Sequence, residues 1–90
     1  MKVIQSPSFT RKVKKFHEQQ KKELDRQVLK ILENPRIGQE KKGDLKDIHI
    51  HKFKIHDCQF LLAYRLKADC LELIMIGSHE NYYRNLKIHV

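Results

Sequence analysis

Hydrophobic and polar positions alternate in distinct ways along this chain. "KVIQ", residues 2–5, is a short apolar-leaning strand candidate. "SPSF" follows as a turn, with Ser8 as the expected helix N-cap. Phe9, Val13 and Phe16 then recur at i, i+4 and i+7, the stripe of an amphipathic helix. "HEQQKKE", residues 17–23, has no apolar anchor, and the stripe resumes with Leu24, Val28, Ile31 and Leu32. The pattern predicts two helices, about 8–17 and 20–33, packed as a hairpin. One long helix is the alternative, because no Gly or Pro marks a break. Asn34-Pro35 ends the helical region, since Pro35 disfavours helical geometry at Asn34.

Residues 36–47 read as a polar loop with two glycines. Strand signals dominate afterwards. Over 51–56, Phe53 and Ile55 fall on one face and Lys52, Lys54 and His56 on the other. Ile48 and Ile50 are out of phase with Phe53 and Ile55, which predicts a bulge near His51. "QFLLAYRL", 59–66, is apolar on both faces, as a central strand should be. "KAD" turns the chain, and "CLELIMI", 70–76, is the third strand of a meander that Gly77 breaks. The tail from 78 is short, with room for one helical turn. The expected fold class is α+β: an N-terminal strand, a helical hairpin, then an antiparallel three-strand meander forming a small twisted sheet. The helices should cover one face and leave the other free.

Ninety residues fit one domain, 1–90, with one modest core. A hydrophobic fraction of 40% with 33% charged residues describes a globular chain rather than a disordered one. Nothing is long and apolar enough to span a bilayer, and "MKVIQSPSF" lacks a signal-peptide core, so a cytoplasmic protein with no membrane partner is expected. Cys58 and Cys70 begin two antiparallel neighbours. They should lie about 27 Å apart, against the roughly 6 Å a disulfide needs.

The formal net charge of +8 points to a polyanionic partner. Residues 1–47 carry 13 basic and 7 acidic groups, whereas 48–90 carry 6 and 4 but hold five of the six histidines. The first half suits a basic binding surface, and the second suits proton chemistry near neutral pH.

"HIHKFKIH", 49–56, first suggests a metal. Only His49 and His51 are spaced to share a strand face, zinc needs three or four ligands, and Lys52 and Lys54 would repel a cation. No metal or other cofactor is expected. Phosphate fits better. Lys52, Lys54 and His56 share a face that Arg65 can also reach, and a phosphodiester wants several cationic donors. "GSHENYY", 77–83, sets His79 where the chain leaves the sheet, followed by Tyr82, Tyr83 and Arg84. A histidine there can move a proton, and a tyrosine can stack on a base. Cleaving RNA without a metal needs a base for the 2′-OH, cations around the crowded phosphate and an acid for the leaving oxygen. His79, Lys52, Lys54 and Tyr83 are the catalytic candidates. His56, Arg65, Tyr82 and Arg84 are candidates for holding RNA.

The element order, "NPRIG", "GDLKDIHIHKFKI", "FLLAYRL" and "IGSHENYY" together resemble the RelE/ParE superfamily of toxins from bacterial toxin–antitoxin operons, across nearly the whole chain. The resemblance implies the RelE-like fold and one of two activities: ribosome-dependent mRNA cleavage, or poisoning of DNA gyrase without catalysis. RelE-type enzymes carry a Lys-x-Lys before the central hairpin, which Lys52 and Lys54 match. They carry an arginine early on the next strand, where this chain has Leu61, and Arg65 lies about 13 Å further on. YafQ-type enzymes end on Gly-x-His with an aromatic four residues later, matched by Gly77, His79 and Tyr83; His56 aligns loosely with their second histidine. This ending favours the nuclease branch. The resemblance also implies a cognate acidic antitoxin, which suits the basic charge. A folded, antitoxin-binding but inactive relative is a third reading.

Overall fold

The computed structural model describes residues 2–40 and 47–78. Its elements are β1 (Lys2–Gln5), α1 (Pro7–Lys14), α2 (Glu18–Glu33), β2 (Gln39–Glu40), β3 (Ile48–Ile55), β4 (Cys58–Lys67) and β5 (Cys70–Ser78). The strands form one sheet in the order β1-β5-β4-β3-β2. β1 runs parallel to β5, and every other pairing is antiparallel. The α+β class, the N-terminal strand, the helical pair and the meander are as the sequence predicts. The two-residue β2 lies inside the stretch expected to be loop. The expected helical turn in the tail lies outside the described residues.

Local chemistry sets the helix ends. The N-cap of α1 is Ser6, not Ser8, because Pro7 takes the first helical position, where its missing N–H costs nothing. Ser6 Oγ accepts from the Phe9 N–H at 3.1 Å. Without Gly or Pro, the chain still breaks between the helices at His17, whose N–H donates to Gln20 Oε1 at 3.0 Å. Asn34 caps α2 outside the helical region (φ −144°, ψ 85°) ahead of Pro35.

β3 has no bulge. Its register with β4 runs unbroken from Ile48↔Arg65 to Ile55↔Cys58. The phase break in its sequence has another cause: the strand passes between two cores. Ile48 and Ile50 join Leu61, Ala63, Ile74 and Met75 in a buried cluster built from strands alone. Phe53 and Ile55 join Phe9, Phe16, Leu24, Ile31, Phe60, Leu62, Tyr64, Leu71, Leu73 and Ile76 on the helix side. The sheet's second face is therefore largely buried and apolar, not the free polar face expected.

The bulge belongs to β5. Ala63 pairs with Met75 but Tyr64 pairs with Leu73, so Ile74 is the extra residue. It lets Ile74 and Met75 both enter the strand-only cluster while Leu73 and Ile76 face the helices. Ser6 Oγ donates to the Ile74 carbonyl at 2.5 Å, satisfying an acceptor beside the break in the ladder. Gly77 does not end β5, which continues through Ser78. Cys58 and Cys70 are free and pair with opposite ends of the β3–β4–β5 meander, as expected.

Tyr64 ties the segment after α2 to the sheet. Its wholly buried hydroxyl donates to the Pro35 carbonyl at 2.7 Å and accepts from the Gly38 N–H at 3.0 Å. A Cβ on Gly38 would stand 2.7 Å from that oxygen, so this close approach requires glycine. Tyr64→Phe leaves the Gly38 N–H and the Pro35 carbonyl without their partner. We expect a loss of about 1–3 kcal/mol, read as a lower urea midpoint with unchanged slope. A midpoint equal to wild type would mean the hydroxyl carries no such load.

Candidate functional site

β3 sorts its polar residues by alternation. His49 and His51 turn toward the helices, and Lys52 and Lys54 project outward on the opposite face. His51 is only 8% exposed, and its Nε2 lies 2.7 Å from Gln27 Oε1 on α2. The Gln27 amide donates to Glu23 Oε2 at 2.6 Å, which leaves its carbonyl to accept. His51 therefore carries its proton on Nε2. Burial, and then the charge of Lys30, hold the His51 pKa below its ordinary 6.5. His49 stacks on the Tyr64 ring with centroids 5.3 Å apart, and its Nε2 lies 3.8 Å from Glu40. Burial pushes the Tyr64 hydroxyl pKa up, partly offset by the hydrogen bond from Gly38. Both histidines thus pack within the fold. Among the described residues no three His, Cys, Asp or Glu side chains gather as a metal site would require.

The lowered His51 pKa has a consequence for stability. The unfolded chain takes up this proton first, so the contribution of neutral His51 is complete above about pH 6.5. It shrinks as pH falls from there toward the folded-state pKa. We expect wild type to lose more stability than His51→Gln between pH 7.5 and 5, measured by urea unfolding across that range. Parallel pH profiles would contradict this assignment.

Lys52 and Lys54 are exposed and stand at one end of the sheet. Lys52 pairs with Leu61, and Leu61 pairs across β4 with Gly77. Two strand spacings of about 4.8 Å separate Lys52 from Gly77. The register thus brings the Lys-x-Lys and the start of "GSHENYY" to the same end of the same face. His79, Tyr82, Tyr83 and Arg84 lie outside the described residues.

Arg65 shares that face but not that end. It pairs with Ile48, four positions from Leu61, and its guanidinium meets Glu72 Oε1 at 3.2 Å. The structure does not bring it to Lys52 and Lys54. His56 does not continue the Lys52–Lys54 row along the strand. It occupies the two-residue turn between β3 and β4, exposed, with φ at 56°. Together with Lys54 it lines a cavity of about 310 Å³ against α2, walled by Gln19, Lys22, Glu23 and Arg26. These α2 residues carry no motif, and the sequence singled out none of them. Their signal was present as a polar stripe at i, i+3, i+4 and i+7 that starts in the segment without an apolar anchor and runs on to Arg26. Leu61, in the position where RelE-type enzymes place an arginine, has 0% exposure and sits in the strand-only cluster.

A family model, the ParE-like toxin of type II bacterial toxin–antitoxin systems, matches residues 3–87. The chain belongs to that family, within the RelE/ParE superfamily. Its fold is similar to that in the E. coli RelBE toxin–antitoxin complex, at 20% identity over 88% of this chain and 96% of the other, with a TM-score of 0.70. It is similar to a double arginine-to-alanine mutant of E. coli RelE in the free state, at 18% identity over 98% and 90%, with a TM-score of 0.73. It is also similar to isolated E. coli RelE, at 19% identity over 99% and 98%, with a TM-score of 0.67. A search of curated protein sequences finds no match. Among the described residues no helix is long and apolar enough to cross a membrane.

Proposed function

We propose that this toxin is a metal-independent endoribonuclease that cleaves mRNA on the ribosome, in the cytoplasm, and is neutralised by an acidic antitoxin. The observation that carries the reading is the placement of Lys52 and Lys54. Both are exposed on one face, and Lys52 is in register through Leu61 with Gly77, two residues before His79. In this reading the two lysines stabilise the charge gathering on the phosphate, and one can assist proton removal from the 2′-OH. His79 serves as general acid or base. Tyr83 positions a base or the phosphate, and Tyr82, Arg84 and His56 hold neighbouring RNA. Arg65 is left out, because Glu72 already pairs it at the far end of the face. The E. coli RelBE complex supports an antitoxin partner by similarity, and the net charge of +8 suits an acidic one.

Two observations favour a second reading. Buried Leu61 removes an arginine that the RelE-type site uses, and the matching family model is ParE-like. A gyrase poison needs no proton-transfer set, and an inactive antitoxin-binding relative needs neither activity. Induction without antitoxin separates the three. The nuclease produces in-frame transcript ends that His79→Ala or Lys54→Ala abolishes. Growth arrest with altered supercoiling and intact mRNA, surviving both substitutions, identifies the gyrase poison. No arrest identifies the inactive relative.

A further inference from the structure

The cavity between α2 and the β3–β4 turn is a second basic feature, set apart from the Lys52–Gly77 row. Lys22 and Arg26 from α2 bring two permanent positive charges to its wall, and His56 adds an imidazole; Lys54, whose side chain alternation sends to the opposite face, borders it at the end of β3. Glu23 is its one acidic group among the described residues, and its oxygens are already engaged. One accepts from Gln27 Nε2 at 2.6 Å and the other meets Arg26 Nη1 at 3.3 Å. Gln27 is itself only 6% exposed and is fixed in turn by His51 at 2.7 Å. The lining therefore carries a net positive charge over a buried, hydrogen-bonded support. The two-residue hairpin turn that carries His56 takes a left-handed first residue, as the β4–β5 turn does at Ala68, and it sets the imidazole at the mouth of the cavity.

We propose that this cavity is a phosphate subsite for single-stranded RNA, holding a backbone phosphate beyond the one that faces Lys52 and Lys54. The inference rests on the RNA-cleaving reading above. Lys54 completes the outward lysine pair, and the cavity begins beside it at the end of β3, so one continuous RNA can pass from one to the other around that strand end. Arg26 offers planar guanidinium donors, which suit the paired oxygens of a phosphodiester. The subsite reads no base. It contributes affinity and direction to the strand, and its effect is the same for every sequence.

The test measures anisotropy of a labelled 2′-O-methyl single-stranded RNA, which cannot be cleaved through its 2′ position, across a salt series. The variants are Lys22→Ala/Arg26→Ala and, as a control of equal charge change, Lys2→Ala/Lys67→Ala, two exposed residues that both pair with Cys70 at the opposite end of the sheet. The cavity variant should weaken binding alike for all sequences. Its slope of log affinity against log salt should shrink by about 0.7 for each phosphate that the subsite no longer neutralises. The control should keep the wild-type slope, and the circular dichroism of both should match wild type. Equal weakening in both variants, or none in either, overturns the subsite. So does a cavity variant that loses binding to an acidic peptide while its RNA binding is untouched, since the cavity would then dock protein. If the cavity variant shows the expected change in slope while wild type leaves ribosomal mRNA intact, the nuclease reading fails and the subsite stands.

Discussion

If the proposed nuclease reading holds, replacing Lys52 and Lys54 together by alanine should lower the single-turnover rate of mRNA cleavage by roughly 10²–10⁴-fold. Both side chains point outward from β3 and are exposed. Neither takes part in a hydrogen bond or ion pair among the described residues, so stability should stay within about 0.5 kcal/mol of wild type. What disappears is charge at the phosphate, not the fold. Each single variant should fall by less, because the remaining lysine still faces the same phosphate. A double variant that cuts at the wild-type rate would remove the lysine pair from the chemistry.

Restoring the arginine that RelE-type enzymes carry fails in this chain. Leu61→Arg should cost roughly 3–5 kcal/mol, the range for a buried charge without a partner. It should not raise activity. Leu61 has no exposed surface and packs with Ile50, Ala63, Ile74 and Met75. No carboxylate occupies its neighbouring register positions, which are Lys52 on one side and Gly77 on the other. A domain of 90 residues has about 5–15 kcal/mol of stability in all, so the variant should show a sharply lowered urea midpoint or be found unfolded. A stable, more active Leu61→Arg protein would show that this part of the face is open to the site.

These two positions also mark where the sequence was legible. The helical stripes from Phe9 and Leu24, the stop at Asn34-Pro35 and the doubly apolar β4 could be read locally, because each depends on spacing within one element. The outward placement of Lys52 and Lys54 followed from alternation with Phe53 and Ile55. The errors arose where distant partners decide. Ile48 and Ile50 looked misphased because a second apolar cluster on the far face could not be inferred from β3 alone. The burial of His51 was not legible because its partner, Gln27, lies 24 residues away on α2. β2 was invisible because Gln39 and Glu40 are held by pairing with Ile50 and His49, next to a segment that Tyr64 pins. Ser6 and Ser8 flank Pro7, and only the preference of proline for the first helical position selects Ser6.

The site was half legible. The register joins Lys52 to Gly77 as alternation along the strands requires, but it separates Arg65 and ties it to Glu72. It moves His56 to a turn that faces α2, and it recruits Lys22 and Arg26, which carry no motif of their own. Basic residues on the polar stripe of a helix gain meaning only when the fold sets a histidine-bearing turn opposite them.

Whether the lysine-bearing end of the sheet cleaves RNA is decided by adding the purified toxin to ribosomes programmed with a defined mRNA and mapping the 5′ ends produced. Cuts are expected within the A-site codon. They should form without any divalent-metal requirement beyond that of the ribosome itself, and they should vanish in Lys54→Ala and His79→Ala. Intact mRNA with the folded wild-type toxin, or cuts that persist in both variants, would show that this end of the sheet is not a nuclease site.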